Sequence, residues 1–368
     1  MLIDLHAVPG GANTEDHGGV STHVAEMWGS EGYRRLAKEC LMYIAEEVKK
    51  DNIRGCAGIE LCNEACWGAE GMYEWYEDVI RAIGAVDASI PLYISDGWDL
   101  GRAVEWCAGM NSTSGGGNPV VVDTHKYYAF TEQDRAQGPG EIIERVRGEM
   151  DGVQTVTGNV LENGAVGVVI GEWSCAMDGN TWVKAGEGVD RDGMVRQFGK
   201  TQCEQWRKKA GGSFFWTAKM QWMDGGEWGL FEMVKKGAVV APAYMTMSFA
   251  DVKLAAERAR RQRLDRKQRA VDAHVTYWDS TALGGKFEHW RFEQGWDLGF
   301  ADALAFFEMR TNDGFQGAKT GADSIGCLEL WIIKRARETG QMGGFTWEWE
   351  HGFRQGVSGF ADSVLVLE

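Results

Sequence analysis

Short apolar runs alternate with long amphipathic segments along most of the chain, and this alternation constrains the fold more than any other feature. Strands that alternate with helices form a parallel sheet covered by helices. The runs are apolar throughout, which is typical of strands buried on both faces. We predict strands at 2–6, 57–62, 91–95, 120–124, 166–171 and 213–217, and helices at 32–50, 72–86, 141–150 and 192–210.

Polar and aromatic side chains follow these predicted strands. Asn63 and Glu64 come after the second strand, His125 after the fourth, and Glu172 after the fifth. A barrel builds its site from the carboxyl ends of several strands. A doubly wound open sheet, the alternative, binds its ligand at one switch point. The repetition after successive strands favours an α/β fold of the (β/α)-barrel type.

Charge and composition limit the partners. The formal net charge is −16, and such a surface repels nucleic acid. The 17 tryptophans are compatible with a neutral glycan, because the apolar face of a pyranose ring packs well on an indole. Core packing is the other interpretation of each tryptophan. No apolar run approaches the roughly 18 residues of a membrane span, so we expect no membrane partner.

The sequence predicts three regions. The barrel occupies 1–250, a charged helical linker 251–274, and an extension of unknown role 275–368. The linker is either a basic contact site or a solvated helix. The extension contains two similar segments, Trp290–Gly299 and Trp347–Gly356, with matching aromatic and glycine spacing. We interpret them as a pair of similar packing units, with glycan binding as the alternative.

Two glutamates carry the predicted chemistry. Glu64 follows an apolar strand and lies close to Trp67, so we expect burial to raise its pKa, as suits a general acid. Glu172 follows the run Val-Gly-Val-Val-Ile-Gly, where a charge is costly unless it is paired or functional. Two carboxylates that face one cleft are what glycoside hydrolysis requires. Helix capping and structural ion pairing are the alternatives.

Other polar and aromatic residues at successive strand ends complete the predicted site. The candidates for substrate binding are His6, Asn13, Asp16, Asn63, His125, Tyr127, Phe130 and Trp216. The chain lacks the sequence patterns of a serine hydrolase elbow, a P-loop or a zinc protease. The remaining alternative is a metal held by Asp4, His6, Asp123 and His125. We expect no metal and no organic cofactor.

Five segments in order resemble glycoside hydrolase family 5, in particular the fungal glucan 1,3-β-glucosidase (exo-β-1,3-glucanase) group. They are 4–13, DLHAVPGGAN; 58–64, GIELCNE; 123–130, DTHKYYAF; 171–174, GEWS; and 214–219, FFWTAK. The resemblance implies a (β/α)8 barrel and a retaining mechanism that releases glucose from β-1,3-glucan at the chain end. It also implies an extracellular or cell-wall location.

The resemblance assigns roles to the matching residues. Glu64 matches the acid/base after strand four, and Glu172 matches the nucleophile after strand seven. Trp216 matches the floor of the terminal sugar subsite, and Phe130 an aromatic at the cleft entrance. His6, Asn63, His125 and Tyr127 match residues around the cleaved sugar.

The sequence departs from the family pattern in two respects. Asp16-His17 stands where Asp-Asn is common, Ala12 replaces a glutamine, and Ala65 replaces a proline. The segment 4–13 follows what matches strand three of the family's barrel. We therefore expect a TIM-type barrel that lacks the first two strands, plus an aromatic-rich C-terminal extension. Such a barrel has two unpaired edges. The alternative function is therefore a catalytically inactive glycan-binding or cell-wall structural protein.

Overall fold

The computed structural model describes residues 1–53, 55–112, 117–151, 159–220, 224–282, 284–311 and 320–364. The chain divides into two compact units. The first comprises 1–158 and 163–240, and the second comprises 159–162 and 241–368. None of the helices in the described ranges is long and apolar enough to cross a bilayer.

The first unit is built on a parallel sheet. Its strands within the described residues are β1 Leu2–Asp4, β2 Gly58–Glu60, β3 Leu92–Ser95, β4 Val120–Tyr128, β5 Gly167–Met177 and β6 Ser213–Phe215. Each strand pairs with the next in the chain, in the order β1-β2-β3-β4-β5-β6. Strands added in sequence are the barrel pattern, whereas a doubly wound sheet reverses at a switch point. The predicted parallel α/β sheet is confirmed.

Helices connect the strands of the first unit. They are α1 Glu31–Lys50, α2 Met72–Asp87, α3 Leu100–Met110, α4 Glu132–Ala136, α5 Pro139–Gly148, α7 Gly179–Lys184, α8 Arg191–Lys209 and α9 Leu230–Lys235. The short helix α6 Val160–Asn163 belongs mostly to the second unit. Side chains cap several helices of the first unit, since Ser30 accepts from the amide of Tyr33 at α1 and Asp99 from that of Arg102 at α3.

The central strands of the sheet are buried on both faces, as their apolar sequences predict. Val120, Val121 and Val122 of β4 are all at most 2% exposed. The edge strands β1 and β6 are more exposed. The core therefore lies around β2 to β5, and the polar residues that follow these strands are fixed at its rim.

The second unit is helical in its described residues. It contains α10 Ala243–Thr246, α11 Phe249–Thr281, α12 His289–Glu308, α13 Leu328–Glu338 and α14 Thr346–Val364. The predicted linker 251–274 lies within α11, which contributes a face of small side chains to the core of this unit. The basic residues Arg263 and Lys267 of α11 pair with Asp297 of α12, at 2.8 and 2.6 Å. The charges of this stretch are therefore partly neutralised inside the unit.

The two similar segments of the sequence are the helices α12 and α14, which pack against each other. A Cβ added at Gly295 would lie 2.0 Å from the carbonyl oxygen of Trp349, and one at Gly352 would lie 2.0 Å from that of Phe292. Each helix thus places its glycines against the backbone of the other. The repeat is an interface motif of two parallel helices, as the structural interpretation predicted.

Replacing Gly295 by alanine is expected to destabilise the second unit, because the new methyl group meets backbone that cannot rotate away. The expected loss is about 1–3 kcal/mol, typical of an overpacked core. Urea unfolding of the full chain measures it. Gly109→Ala in α3 is the matched control, because nothing lies within 4 Å of its Cβ position. Equal midpoints for both variants would contradict the close contact.

Candidate active site

Glu64 and Glu172 meet on one side of the sheet. Glu64 follows β2 and Glu172 lies within β5, yet one oxygen of each, together with a ring nitrogen of His125, lie within 4.8 Å of one another. Three strand spacings of about 4.8 Å separate these strands. The carboxylates can meet only because both side chains point to the concave side of a curled sheet. Glu64 also has a φ of 44°, a rare backbone conformation for a non-glycine residue.

Two histidines hold the carboxylate of Glu64. Nδ1 of His125 lies 2.7 Å from Oε1, and Nε2 of His17 lies 2.8 Å from Oε2. Burial raises the pKa of Glu64, but hydrogen bonds and positive charge from both histidines outweigh burial, so the net pKa is lowered. The expectation of a raised pKa was wrong, because these neighbours come from distant parts of the chain.

Glu172 is positioned by the strand beside it. Register pairs His125 of β4 with Glu172 of β5. The hydroxyl of Tyr127 donates to Oε2 of Glu172 at 2.5 Å. Burial and the negative charge of Glu172 raise the pKa of Tyr127, so this hydroxyl stays a donor. Glu172 is thus held by a neutral donor, whereas Glu64 is held by two basic rings.

His125 lies between the acids of the site. Besides Glu64, its Nδ1 lies 3.7 Å from Oε2 of Glu172, and its Nε2 lies 3.3 Å from Oδ2 of Asp123. Burial lowers the pKa of His125, but the hydrogen bonds to Asp123 and Glu64 raise it well above its ordinary value. These neighbours thus favour the protonated ring, whose positive charge balances part of the acidic charge around it.

A pair of acids lies beneath the site. Glu60 of β2 is 4% exposed and Asp123 of β4 is 2% exposed. Burial, and then the charges of Asp123 and Asp4, raise the pKa of Glu60 well above its ordinary range. Burial and the neighbouring acids thus favour the protonated form of Glu60, while Oδ2 of Asp123 lies 3.3 Å from His125.

Aromatic rings form one wall beside the carboxylates. Trp216, at the end of β6, meets Trp228 edge to face at 5.5 Å between ring centroids. Trp228 also stacks on Phe130 at 5.9 Å and lies 5.7 Å from Tyr127. The peptide bond between Trp216 and Thr217 is cis. Exposed indole and phenyl surface next to two acids can bind the apolar face of a sugar.

His6 and Asn13, two further predicted residues, form hydrogen bonds around the two acids. His6 bonds Asp4 at 2.7 Å, and this bond in particular raises the pKa of His6. Its ring lies 5.7 Å from that of His17. Asn13 donates to the backbone oxygen of Glu64 at 2.9 Å.

Asn63 and Asp16 differ in their surroundings. Asn63 is 3% exposed, and its Nδ2 has no partner among the residues described. This amide is therefore free to donate to a ligand. Asp16 is exposed and lies 3.6 Å from His23, so the structure does not bring its side chain to the carboxylates.

Three further residues contribute to the site, and of these the sequence analysis did not single out Trp228. His17 occupies a short 3-10 helix Asp16–Gly18, and Trp228 occupies another, Gly226–Trp228. Trp98 follows β3 and meets His125 edge to face at 6.4 Å. His17 is adjacent to the candidate Asp16, and Trp98 follows the third predicted strand, so their positions in the sequence indicated the site. The loop position of Trp228 gave no periodic signal.

Within the described residues of this site, three side chains have ligand atoms close enough to hold a metal ion. Glu64, His125 and Glu172 offer three ligand atoms, but these atoms already bond to one another, to His17 and to Tyr127. Of the alternative set, His6 bonds Asp4 and His125 bonds Asp123, each within its own strand segment. Two paired carboxylates with adjacent donors are suited to acid/base and nucleophilic chemistry at one carbon.

Comparisons with known proteins point to one enzyme class. Residues 259–364 match the family model described as the glucan 1,3-beta-glucosidase 3 C-terminal domain. Over 98% of its length the chain is 29% identical to a Saccharomyces cerevisiae protein described as an uncharacterized glycosyl hydrolase, and it covers 65% of that protein. The chain is thus a sequence relative of glycosyl hydrolases.

A second relative has a more specific description. The chain is 28% identical to glucan 1,3-beta-glucosidase 3 of Schizosaccharomyces pombe over 87% of its length, and it covers 63% of that protein. It therefore spans just under two thirds of the length of both relatives. Among solved structures, rutinosidase from Aspergillus niger matches with 17% identity and a TM-score of 0.48, covering 64% of this chain and 66% of that one.

Proposed function

We propose that the protein is a retaining glycoside hydrolase of the family 5 type that releases glucose from β-1,3-glucan. The observation that carries the proposal is the approach of Glu64 and Glu172, whose oxygens lie within 4.8 Å of each other. Retaining glycosidases need about 5–5.5 Å between their carboxyl groups, whereas inverting enzymes need roughly 6.5–9.5 Å. The short separation supports a covalent intermediate.

In the proposed first step, Glu172 attacks the anomeric carbon and the bond to the leaving sugar breaks. Glu64 gives its proton to the leaving oxygen. In the second step, Glu64 takes a proton from water, and the water oxygen displaces Glu172 from the same carbon. Two inversions restore the β configuration of the released glucose, and Glu64 ends protonated again.

The surroundings of the two acids support this assignment. Glu172 accepts a hydrogen bond from Tyr127, which keeps its proton, so this bond orients the Glu172 side chain. Glu64 contacts His17 and His125, two groups that can exchange protons with it. The free Nδ2 of Asn63 would donate to a sugar hydroxyl near the cleaved bond.

The substrate proposal rests on the aromatic wall and on the relatives. Trp216, Trp228 and Phe130 offer apolar surface for a pyranose ring beside Glu172. A glucan with β-1,3 linkage is proposed because relatives are named glucan 1,3-beta-glucosidases. The proposed chemistry needs no cofactor.

We propose that the six strands correspond to strands three to eight of an eight-stranded barrel. Their parallel sequential order supports this, because a barrel adds each strand beside the last. The exposed edges of β1 and β6 also support it, because in a closed barrel they would be paired. On this proposal β2 is strand four and β5 is strand seven, and the barrel residues end near 250.

The test is incubation of the purified chain with a soluble β-1,3-glucan, followed by proton NMR of the products at early times. We expect glucose, formed first as the β anomer. The α anomer first would overturn the retaining mechanism. A folded chain that binds the glucan without releasing sugar would overturn the hydrolase proposal and favour a glycan-binding protein.

His17 is expected to set the pH dependence of the reaction. Its hydrogen bond and charge help to lower the pKa of Glu64, so His17→Asn should raise this pKa. Since the first step needs protonated Glu64, the alkaline limb of kcat/KM should move to higher pH. The control is His23→Asn, an exposed histidine that contacts Thr14 and Asp16 instead. A limb that does not move, or that moves to lower pH, would contradict this role of His17.

A further inference from the structure

We propose that the helical second unit contains a binding site for a divalent transition metal ion of the zinc type, with His274, His289 and Glu348 as ligands. Ligand atoms of these three residues lie within 4.8 Å of one another. Nε2 of His274 and Nδ1 of His289 each lie 3.0 Å from the same oxygen, Oε2 of Glu348. Imidazole nitrogens and carboxylate oxygens are ligands that zinc prefers.

The spacing of these atoms fits a bound ion. Zinc bonds to nitrogen and oxygen are about 2.0–2.2 Å long, so tetrahedral ligands lie roughly 3.3 Å apart. The observed distances of 3.0 Å need little change to admit an ion. Three protein ligands leave a fourth position for water.

The carboxylate of Glu348 is buried. Its side chain is 0% exposed and that of His274 is 1% exposed. A buried carboxylate is costly without a positive partner. Among the residues described, its ion-pair partners are the two histidines, with no lysine or arginine. A divalent cation between the three side chains would supply the missing charge.

A second layer of contacts orients these side chains. Oε1 of Glu348 accepts from the backbone amide of Glu288 at 2.6 Å, which leaves Oε2 for the histidines. Nε2 of His289 lies 3.2 Å from Oδ1 of Asp279. Metal-bound histidines usually donate their other ring nitrogen to a carboxylate in this way.

The position of the site suggests its role. His274 belongs to α11, His289 is the first residue of α12, and Glu348 lies in the first turn of α14. One ion would therefore fasten three helices at one end of the α12–α14 pair. The inference concerns stability and does not depend on the proposed hydrolase activity.

The experiment measures zinc bound to the full chain after chelator treatment, dialysis against Zn²⁺ and removal of excess. We expect one zinc at this site and a higher unfolding temperature than in the metal-free protein, because ligands that bind only the native state stabilise it. Glu348→Gln and His289→Ala should each lose this zinc. Asp279→Asn should bind it about 10–100-fold more weakly. Circular dichroism of the metal-free proteins checks that each variant folds.

Two controls make the result decisive. Glu338→Gln changes a carboxylate on α13 that pairs with Lys334 and Arg335, and it should keep the zinc. Glu172→Gln should also keep it, because the catalytic cluster is a separate set of ligands. Absence of zinc binding by the parent chain, or zinc that is lost in Glu172→Gln but kept in Glu348→Gln, would overturn the proposal. If Glu348→Gln does not fold, His289→Ala and Asp279→Asn decide, since both residues are partly exposed.

Discussion

Glu172→Gln is expected to reduce glucose release from β-1,3-glucan by about 10⁴-fold or more, while the fold and glycan binding persist. Removing a catalytic nucleophile costs on this scale in enzymes that form covalent intermediates. The amide keeps the size of the side chain and can still accept from Tyr127, but it cannot attack the anomeric carbon. Initial rates at saturating glucan measure the effect.

The matched control for Glu172 is Glu144→Gln, an exposed glutamate of α5 that pairs with Arg147. It should leave the rate unchanged. A shortened variant, Glu172→Gly, gives a positive test of the role. Azide can enter the space left by the carboxylate and attack the anomeric carbon once, so the product should be the α-glucosyl azide. Unchanged glucose release by Glu172→Gln would remove Glu172 from the mechanism.

The sequence predicted the sheet well because buried parallel strands are continuous apolar runs. The predicted strand 91–95 is observed as Leu92–Ser95. By contrast, β4 and β5 extend to Tyr128 and Met177, several residues beyond the predicted ends. In these last residues the backbone still pairs with the neighbouring strand, but the side chains are polar because they form the site. An apolar pattern cannot show strand residues that are polar for a functional reason.

Helix prediction was weaker where the pattern was not simply amphipathic. The helix α3 Leu100–Met110 was missed although Asp99 caps it. In the second unit, the interface of α12 and α14 combines glycines with buried aromatic residues such as Trp296 and Phe353. The repeat of Gly295 and Gly352 was visible in the sequence, but their contacts with the opposite backbone were not.

The sequence predicted which residues form the candidate site better than it predicted the pKa of Glu64. Glu64, His125, Tyr127 and Glu172 come after the predicted strands, and the structure brings them together. The direction of the pKa shift of Glu64 depends on His17, which reaches it from a loop 47 positions earlier in the sequence. Local sequence shows that a carboxylate will be partly buried, but not which charges will face it.

Glu64→Gln is expected to lower the rate on β-1,3-glucan by about 10²–10⁴-fold, the usual contribution of general acid–base catalysis. The loss should depend on the leaving group. A natural sugar alkoxide needs the proton of Glu64, whereas an aryl glucoside with an acidic phenol leaves without it. The first step of Glu64→Gln on such an aryl glucoside should therefore approach the parental rate, which the burst of released phenol measures.

The second step separates Glu64 from Glu172 most clearly. Without the base, hydrolysis of the glycosyl-enzyme slows, so the covalent intermediate should accumulate and appear in the mass spectrum of Glu64→Gln. Azide needs no general base, so it should accelerate turnover of this intermediate and yield the β-glucosyl azide, the anomer opposite to that from Glu172→Gly. If both variants gave the same anomer, the assigned roles of the two glutamates would be wrong, because only attack on a covalent intermediate retains the configuration.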